Sequence, residues 1–424
     1  MWLILFEVTA RQLPFGLLVI HQPIVISGDG ATLMGHPKGT RIKLAADFKG
    51  PAAVTAQGKN IRLKGFSIEG NRSRTDQRLG LPPFDKTFAE FHSRTGILAG
   101  GVDGLEITDV VLREMPAMAI LIRGGRNARL KRLRVEDSGG LNARGRNNAT
   151  GGVLFEDGVD TFSVEACVFA RIQGNALWTH SRYTSPRNRN GLFARNHFED
   201  IGRDAIQIGH ATNVRVENNG GKRIGYPSEI VDAEGGGTPV AIDTAGNVDG
   251  SVYTGNRFEE LNGKCIDLDG FHHGEVSRNR CVNSKPQAAY PFGHFGIVMN
   301  NTNPDMQSTA IRIFENHLEG MKYGAIFVIG SGHLIHHNTF LGLNTSHCSE
   351  SGAGCTYFAG EPDLLRSGIY FGGRAERVAV TRDNKIEDNV ISGWKMSTRC
   401  LGFAPGVDRN EQKAARNRCI SEER

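Results

Sequence analysis

The stretch KCIDLDGFHHGE, residues 264–275, concentrates ionisable side chains that could do chemistry. Asp267 and Asp269 lie two positions apart and are followed by His272 and His273. Two neighbouring carboxyl groups can act as the acid and the base of a hydrolysis, or they can share a cation. Which of these applies depends on where the two side chains point, and the surrounding elements must set that direction.

A repeated pattern runs along the chain: an apolar residue, two residues, Asn, one residue, an apolar residue. From Asn256 to Asn279 the spacing is 23 residues, and from Asn316 to Asn338 it is 22 residues. A period near 22 that is rich in β-branched residues and glycine is too short for propeller blades and lacks the spacing of leucine-rich repeats. The pattern predicts an all-β, single-stranded parallel β-helix in which asparagines of successive coils form a buried hydrogen-bonded column.

A second pattern, a small residue followed by alternating apolar positions, recurs as AIQIG, AIDTA, CIDLD and GIVMN. Successive side chains of a strand point to opposite faces, so Ile266 and Leu268 are predicted to face the core. Asp267 and Asp269 must then point outward together. Asp243 holds the position of Asp267 on the preceding coil, and the two are predicted to lie roughly 5 Å apart.

This outward face has the composition of a catalytic site. Like charges on neighbouring strands are destabilising unless a cation or a proton relieves them, so three clustered carboxylates favour a functional role. Cleavage of a glycosidic bond needs one carboxylic acid and one carboxylate, about 5–5.5 Å apart for retention of configuration and about 6.5–9.5 Å apart for inversion. The sequence does not distinguish the two outcomes. The candidate catalytic residues are Asp243, Asp267, Asp269, Lys264, His272 and His294.

Three long segments are inserted near this face, at residues 181–190, 221–239 and 284–294. Insertions of this length in a compact repeat are usually functional or disordered, and here they are predicted to wall a groove. Their aromatic and basic side chains, with polar side chains of the outward column, suit a sugar chain. The candidate substrate-binding residues are Trp178, His180, Tyr183, Arg187, Gln207, Tyr226 and Asn300.

The repeat, with its GNRF, RNRC and ENHL copies, resembles the right-handed parallel β-helix (pectin-lyase-like) superfamily of carbohydrate-active proteins over roughly residues 24–395. No specific family is indicated. The polygalacturonases of this superfamily carry N-x-D, then D-D-C-I, then G-H-G. The corresponding segments here, TPVAIDT, GKCIDLD and FGHFG, hold Val240, Gly263 and Lys264 at the carboxylate positions and keep only His294. The resemblance implies the fold and a carbohydrate substrate, and it does not carry over the polygalacturonase mechanism.

Three functions therefore stay open. The first is a glycoside hydrolase that uses paired aspartates and no cofactor. The second is a calcium-dependent polysaccharide lyase or uronate C5-epimerase, in which the three aspartates hold the ion and Lys264, His272 or His294 acts as the base. The third is a glycan-binding β-helix without activity, although the uneven insertions here differ from the uniform coils of such shafts.

Composition limits the partners and the compartment. The formal charge of +5 over 424 residues is modest, so an oligosaccharide or polysaccharide partner can be acidic, while nucleic acid is not demanded. No run of about 18 apolar residues predicts a membrane span. The first residues, MWLILFEVTARQLPFGLLVI, lack the basic region of a signal peptide, which raises the hypothesis of a misassigned start site. Two cysteine pairs close in sequence, Cys348 with Cys355 and Cys400 with Cys419, favour disulfides and an extracellular or periplasmic location.

The chain is predicted to divide into three regions. Residues 1–23 form an irregular N-terminal segment or cap, residues 24–395 the β-helix, and residues 396–424 a C-terminal tail closed by the region of Cys400 and Cys419. The chain holds 54 glycines, well above the usual share of ~7%, which fits the many turns of a coiled repeat.

Overall fold

The structure, a computed structural model, describes residues 10–233, 237–348, 355, 357–361, 363–396 and 399–422. The chain forms two compact units. The first comprises the residues up to Val214 together with Tyr226–Gly237, and the second comprises Arg215–Gly225 together with the residues from Thr238 onward. Each unit is built of short parallel strands, and the protein is a right-handed parallel β-helix, as predicted.

The first unit repeats three strands per coil. Its strands are β1 (Ala10–Gln12), β2 (Gly16–Ile20), β3 (Ile24–Ser27), β4 (Thr32–Met34), β5 (Thr40–Leu44), β6 (Ala52–Gln57), β7 (Lys59–Lys64), β8 (Ser67–Glu69), β9 (Thr95–Gly100), β10 (Asp103–Thr108), β11 (Val111–Arg113), β12 (Ile120–Arg123), β13 (Arg126–Lys131), β14 (Arg134–Glu136), β15 (Val153–Glu156), β16 (Asp160–Glu165), β17 (Val168–Ile172), β18 (Leu177–His180), β19 (Asn188–Ala194), β20 (His197–Ile201) and β21 (Ile206–Ile208). Two short helices, α1 (Arg72–Thr75) and α2 (Phe88–Phe91), lie in a loop between coils. Each strand pairs with its equivalent one coil away, as β12 does with β9 and β15.

The strand β22 (Ala211–Glu217) lies at the boundary between the two residue ranges. The strands of the second unit are β23 (Gly220–Ile224), β24 (Val240–Asp249), β25 (Val252–Thr254), β26 (Arg257–Leu261), β27 (Lys264–His272), β28 (Glu275–Ser277), β29 (Arg280–Val282), β30 (Ile297–Asn300), β31 (Arg312–Phe314), β32 (His317–Glu319), β33 (Ile326–Val328), β34 (Leu334–His336), β35 (Thr339–Leu343), β36 (Ile369–Phe371), β37 (Asn384–Glu387), β38 (Val390–Trp394), β39 (Leu401–Phe403), β40 (Gln412–Ala415) and β41 (Arg418–Glu422). The column β24, β27, β30, β33, β36 and β39 carries the acidic face. None of the helices in the described residues has the length and apolar character needed to cross a membrane.

The predicted asparagine column is present inside the second unit. The side-chain amide of Asn279 donates to Oδ1 of Asn316 at 3.0 Å, and that of Asn316 donates to Oδ1 of Asn338 at 3.0 Å. Each amide also donates to a backbone carbonyl, so the buried polar groups are paired. The residue before each asparagine, such as Arg278, has a positive φ. This left-handed conformation turns the chain between one strand and the next, and the asparagine lies within that turn. Asn219 and Asn417, which were not recognised in the sequence pattern, also belong to the column.

Parallel strands also lie outside residues 24–395. Residues 1–9 of the predicted N-terminal segment lie outside the described residues, but β1 and β2 precede residue 24 and pair with β4 and β5. After residue 395, the strands β39, β40 and β41 pair with β36, β37 and β38. Of these outer strands, β1 (ARQ) and β40 (QKAA) have polar sequences, so their apolar pattern is weak although their backbones continue the ladder.

Three disulfides lie in the second unit. Two join the cysteine pairs predicted from their proximity, Cys348 with Cys355 and Cys400 with Cys419. The third joins Cys265 to Cys281, 16 residues further along the chain, and was not predicted. It links β27 to β29 within one coil and thereby fixes the strand that carries the acidic face.

Candidate active site

The acidic face lies on β24, β27 and β30 of the second unit. The register pairs Ile242 with Ile266 and Ala245 with Asp269, which puts Asp243 opposite Asp267. The alternation within β27 buries Ile266 and Leu268 in the core and turns Asp267 and Asp269 to the other side, as the sequence predicts. The next strand places Val298 beside Asp267 and Asn300 beside Asp269.

The acidic face is covered rather than open to solvent. Asp243 is 8% exposed and Asp267 is 6% exposed. The sequence predicts an open, solvent-facing groove, whereas the structure has a pocket here. Segments inserted between the strands pack over the face and cover the rest of it. The walls of this pocket include Lys264, His294, Asn300, Phe327, Tyr357 and Glu376.

Lys264, which lines this pocket, forms an ion pair with Asp267. The ammonium of Lys264 contacts Oδ2 of Asp267. Burial lowers the pKa of Lys264, but the charge of Asp267, the hydrogen bond to it and the charge of Asp243 outweigh burial, so the net shift of this pKa is upward. The other carboxylate oxygen of Asp267 is buried and has no hydrogen-bond partner within the described ranges.

Asp269 has a different environment from Asp267. Burial raises the pKa of Asp269 to about 6, and the negative charge of Asp267 adds to this effect. Hydrogen bonding opposes the shift, since the backbone N–H of Thr302 donates to Oδ1 of Asp269 at 2.9 Å. The face thus holds one carboxylate in contact with a cation and one carboxyl group that takes up a proton in mildly acidic solution.

His294 is the imidazole of this pocket. Burial, together with the charges of Lys264 and Lys322, lowers its pKa to about 3, so the ring is neutral at ordinary pH. Its ring lies 5.8 Å from that of Tyr323 and 5.7 Å from that of Tyr357, centre to centre. The nitrogen Nδ1 is buried and without a hydrogen-bond partner among the residues that the structure describes.

His272, the remaining catalytic candidate, lies at the far end of β27. Gly270 has a φ of +77°, and beyond this bend the side chain of His272 turns toward the preceding coil. Its Nδ1 lies 3.0 Å from the carbonyl oxygen of Gly270, and its Nε2 lies 3.6 Å from Asp249. Its ring also lies 5.1 Å from that of His273, centre to centre, and none of these contacts involves the acidic face.

The three aspartates do not form a good calcium site. Calcium prefers six to eight oxygen ligands around one point, whereas the ammonium of Lys264 already contacts Asp267 and supplies positive charge. Among the described residues, a different group has the spacing of a metal site: Asp249, His272 and His273, whose ligand atoms all lie within 4.8 Å of one another. Charge compensation on the acidic face therefore comes from lysine.

Two candidate sugar-binding residues of the first unit are already packed by protein. Trp178 is buried, and the ring of Phe88 meets it edge-on at 4.8 Å. Gln207 is also buried, and its Oε1 accepts a hydrogen bond of 2.7 Å from Asn175. The alternation predicts their outward direction, but α2, which contains Phe88, covers the tryptophan.

The other candidates of the first unit are more accessible. Tyr183 is 56% exposed, and its ring lies 4.3 Å from that of His210. His180 is partly exposed, with Nδ1 3.8 Å from Glu156. Arg187 and Tyr226 are half-buried. Of the seven substrate-binding candidates, only Asn300 lies in the second unit beside the acidic face.

Several pocket residues were missed by sequence reasoning. Tyr357 and Glu376 line the pocket, and the backbone of Thr302 holds Asp269. The spacing of the asparagine column could have indicated these residues. The spacing from Asn338 to Asn389 is 51 residues, whereas the spacing from Asn316 to Asn338 is 22 residues. The excess marks a long insertion, and Tyr357 and Glu376 both belong to it.

Comparison with known proteins establishes the fold. No family model and no curated protein matches the chain. Its structure is similar to the GH136 lacto-N-biosidase from Eubacterium ramulus, with 13% identity and a TM-score of 0.52 over 90% of this chain and 62% of that one. It is similar to the DFA-IIIase from Arthrobacter chlorophenolicus A6, with 12% identity and a TM-score of 0.54 over 95% and 87%. The surface protein and adhesin PfbA of Streptococcus pneumoniae matches at 12% identity, with a TM-score of 0.51 over 97% and 91%.

These similarities concern the fold. The chain spans less than two thirds of the length of the lacto-N-biosidase. Carbohydrate-active enzymes and an adhesin both occur among the similar structures, so the fold by itself does not assign an activity. The function must be argued from the pocket.

Proposed function

We propose that the protein is a glycoside hydrolase that cleaves an oligosaccharide or polysaccharide bound over the acidic face of its second unit. One observation carries the proposal: two carboxyl groups on one strand have unlike surroundings. Asp267 contacts an ammonium, while the pKa of Asp269 is raised to about 6. Unlike surroundings are what an acid and a base need in order to coexist at one pH. A lacto-N-biosidase among the structures with this fold supports a sugar substrate.

The roles follow from the two environments. Asp269 is the general acid, since its raised pKa keeps a proton available for the leaving oxygen. Asp267 is the general base that activates water. Two positions along a strand span about 6.6 Å, which lies in the range of about 6.5–9.5 Å used by inverting enzymes. The proposed outcome is therefore inversion at the anomeric carbon.

Lys264 and Asp243 support this pair. The ammonium of Lys264 orients the carboxylate of Asp267 and leaves one oxygen for the attacking water. Because the pKa of Lys264 is raised, this side chain stays protonated and does not act as a base. Asp243 faces Asp267 from the preceding strand, where it helps to hold the ammonium and the water.

A second candidate function rests on His294. A neutral imidazole with an unpartnered nitrogen can abstract a proton next to the carboxylate of a uronic acid, and the ammonium of Lys264 can pair with that carboxylate. Such a β-elimination makes a polysaccharide lyase that needs no calcium. Its product contains a new carbon–carbon double bond that absorbs ultraviolet light, which hydrolysis does not produce.

One screen tests both candidates. The full chain is incubated with a panel of neutral and acidic glycans, with and without a chelator, and both new reducing ends and ultraviolet absorbance are followed. Reducing ends without absorbance, unaffected by the chelator, are expected for the hydrolase. Absorbance that depends on His294 would replace the hydrolase with the lyase, and glycan binding without product would replace both with a binding protein.

Variants make the screen specific to the site. Asp267→Asn and Asp269→Asn are expected to abolish product formation. Asp383→Asn is the matched control, because Asp383 is exposed in the same unit and lies outside the pocket. Full activity of either site variant would remove the assignment.

The disulfides bear on where the protein works. Three disulfides in one unit form and persist in oxidising surroundings such as the extracellular space or the periplasm. We infer an extracellular or periplasmic location on this ground, where a polysaccharide substrate is also accessible. Fractionation of the producing cells tests it, and recovery of the folded protein only from the reducing cytosol would contradict it.

A further inference from the structure

Two histidines and one aspartate meet at a corner of the second unit, at the ends of β24 and β27. The Nδ1 atom of His273 lies 2.9 Å from Oδ1 of Asp249, and Nε2 of His272 lies 3.6 Å from the same oxygen. The three ligand atoms all lie within 4.8 Å of one another. From these contacts we infer that Asp249, His272 and His273 form a binding site for a divalent transition-metal ion, with zinc as the expected occupant.

The spacing matches a small ion with nitrogen and oxygen ligands. Zinc binds imidazole nitrogen at about 2.0–2.1 Å and carboxylate oxygen at about 2.0–2.2 Å in a tetrahedron, which separates neighbouring ligand atoms by about 3.3–3.5 Å. The observed separations of 2.9 and 3.6 Å bracket this range. Small side-chain rotations would bring all three atoms onto one ion.

The backbone prepares both histidines for this role. Nδ1–H of His272 donates to the carbonyl oxygen of Gly270, which leaves the lone pair of Nε2 directed toward Asp249. An imidazole whose second nitrogen is held by a carbonyl is the usual arrangement of a metal ligand. The φ of +51° at His273 belongs to the left-handed region, and this turn lets two consecutive side chains reach the same carboxylate.

Ligand type selects the class of ion. Two neutral imidazoles and one carboxylate suit zinc, copper, nickel or iron, whereas calcium and magnesium prefer oxygen ligands throughout. Three protein ligands leave at least one coordination position for water or another group. The corner is accessible to an ion, since the side chain of Asp249 is 47% exposed and that of His273 is 61% exposed.

The position in the fold gives the ion a structural consequence. Asp249 ends β24, whereas His272 ends β27 on the next coil and His273 follows it directly. An ion held by all three therefore joins two consecutive coils at the corner that follows the acidic strands. Binding to the folded chain alone raises the melting temperature in proportion to the logarithm of the ion concentration.

Zinc titration of the full chain, free of any histidine tag and stripped with a chelator, tests the site. Calorimetry is expected to show one zinc ion per chain and a rise in melting temperature on saturation. Asp249→Asn and His273→Gln are each expected to weaken zinc binding by more than about tenfold and to remove the rise. Cobalt in place of zinc should give the visible absorption of a tetrahedral complex, which the same variants lose.

A second pair of adjacent histidines provides the matched control. The Nδ1 atoms of His336 and His337 lie 2.9 Å apart in the same unit, but the nearest carboxylate oxygen, on Asp388, is 4.0 Å from His337. The double variant His336→Gln/His337→Gln should bind zinc as the original chain does. The site assignment is overturned if no zinc binds, if Asp249→Asn leaves the affinity unchanged, or if only the control variant loses binding.

Melting in the presence of chelator separates ligand loss from misfolding. His272 is only 17% exposed, so His272→Gln can disturb packing, whereas Asp249 and His273 are at the surface. The two surface variants should melt in chelator at the temperature of the original chain. A lowered melting temperature in chelator for both of them would assign the cluster a packing role and overturn the metal site.

Discussion

The ammonium of Lys264 contacts Oδ2 of Asp267, three positions further along the same strand. Asp267 is only 6% exposed, and a charge so deeply placed is strongly destabilising unless a partner compensates it. The contact gives the buried side chain of Asp267 a cationic partner. It also gives the two carboxyl oxygens different surroundings, since Oδ2 contacts the lysine and Oδ1 has no hydrogen-bond partner among the described residues.

Loss of this lysine should destabilise the fold. Lys264→Met leaves a buried carboxylate without its cation, and we expect the free energy of unfolding to fall by about 3–5 kcal/mol, measured by urea denaturation at neutral pH. The double variant Lys264→Met/Asp267→Leu, which removes both charges, should recover much of the loss. A single variant as stable as the original chain would show that the pair is solvated.

Removal of the proposed base should stop catalysis. Asp267→Asn keeps the shape of the side chain but cannot take a proton, so kcat should fall by at least about 10²-fold with little change in KM. The variant also leaves Lys264 without its charged partner, so rates must be measured well below the melting temperature of the variant. A loss in KM alone would move Asp267 from catalysis to substrate binding.

The pH dependence should identify Asp269 as the acid. Its pKa is about 6 in the folded protein and 3.8 ordinarily, so activity should decline as pH rises above about 6. Because the folded pKa is raised, the stability that the protonated form contributes is present below pH 3.8 and is lost between pH 3.8 and about 6. Asp269→Asn removes this loss. The melting temperature of the variant minus that of the original chain should therefore increase as the pH rises from 3.8 to about 6. Parallel curves for the two proteins would contradict the shift.

The asparagine column should be a major source of stability. Oδ1 of Asn316 accepts both the backbone N–H and the side-chain amide of Asn279, so Asn316→Ala leaves two buried donors unpaired. Each such donor costs about 1–3 kcal/mol, and we expect a loss of about 2–6 kcal/mol in urea unfolding. Asn417→Ala, at the half-buried end of the column, is the matched control and should cost less. Equal losses would mean that position in the column does not matter.

The disulfide between Cys265 and Cys281 should stabilise the coil that carries the acidic face. It closes a loop with a sequence separation of 16, for which the loss of chain entropy in the unfolded state corresponds to about 3 kcal/mol. The double alanine variant should lose about that much in thermal or urea unfolding. The pair Cys348 and Cys355, separated by 7, closes a shorter loop and should contribute less. A larger loss from the shorter loop would contradict the entropic explanation.

The fold and the direction of the acidic side chains follow from local sequence pattern. Strand alternation places Asp267 and Asp269 on the same face from local pattern alone, and the constant spacing of the coils places Asp243 opposite Asp267. The asparagine column is likewise visible, since each copy repeats the same local turn. These features depend only on neighbours along the chain and on the equivalent position one coil away.

The burial and the partners of these side chains depend on contacts between segments that are far apart in the sequence. Alternation assigns Lys264 and Asp267 to opposite faces, yet the ammonium reaches the carboxylate because Lys264 begins the strand where the chain turns and its side chain is long. Tyr357 comes to the pocket from an insertion about 90 residues away, and Cys265 and Cys281 meet because the coil brings β27 and β29 together. Inserted segments carry no repeat, so where they pack depends on shape and charge complementarity across the folded protein.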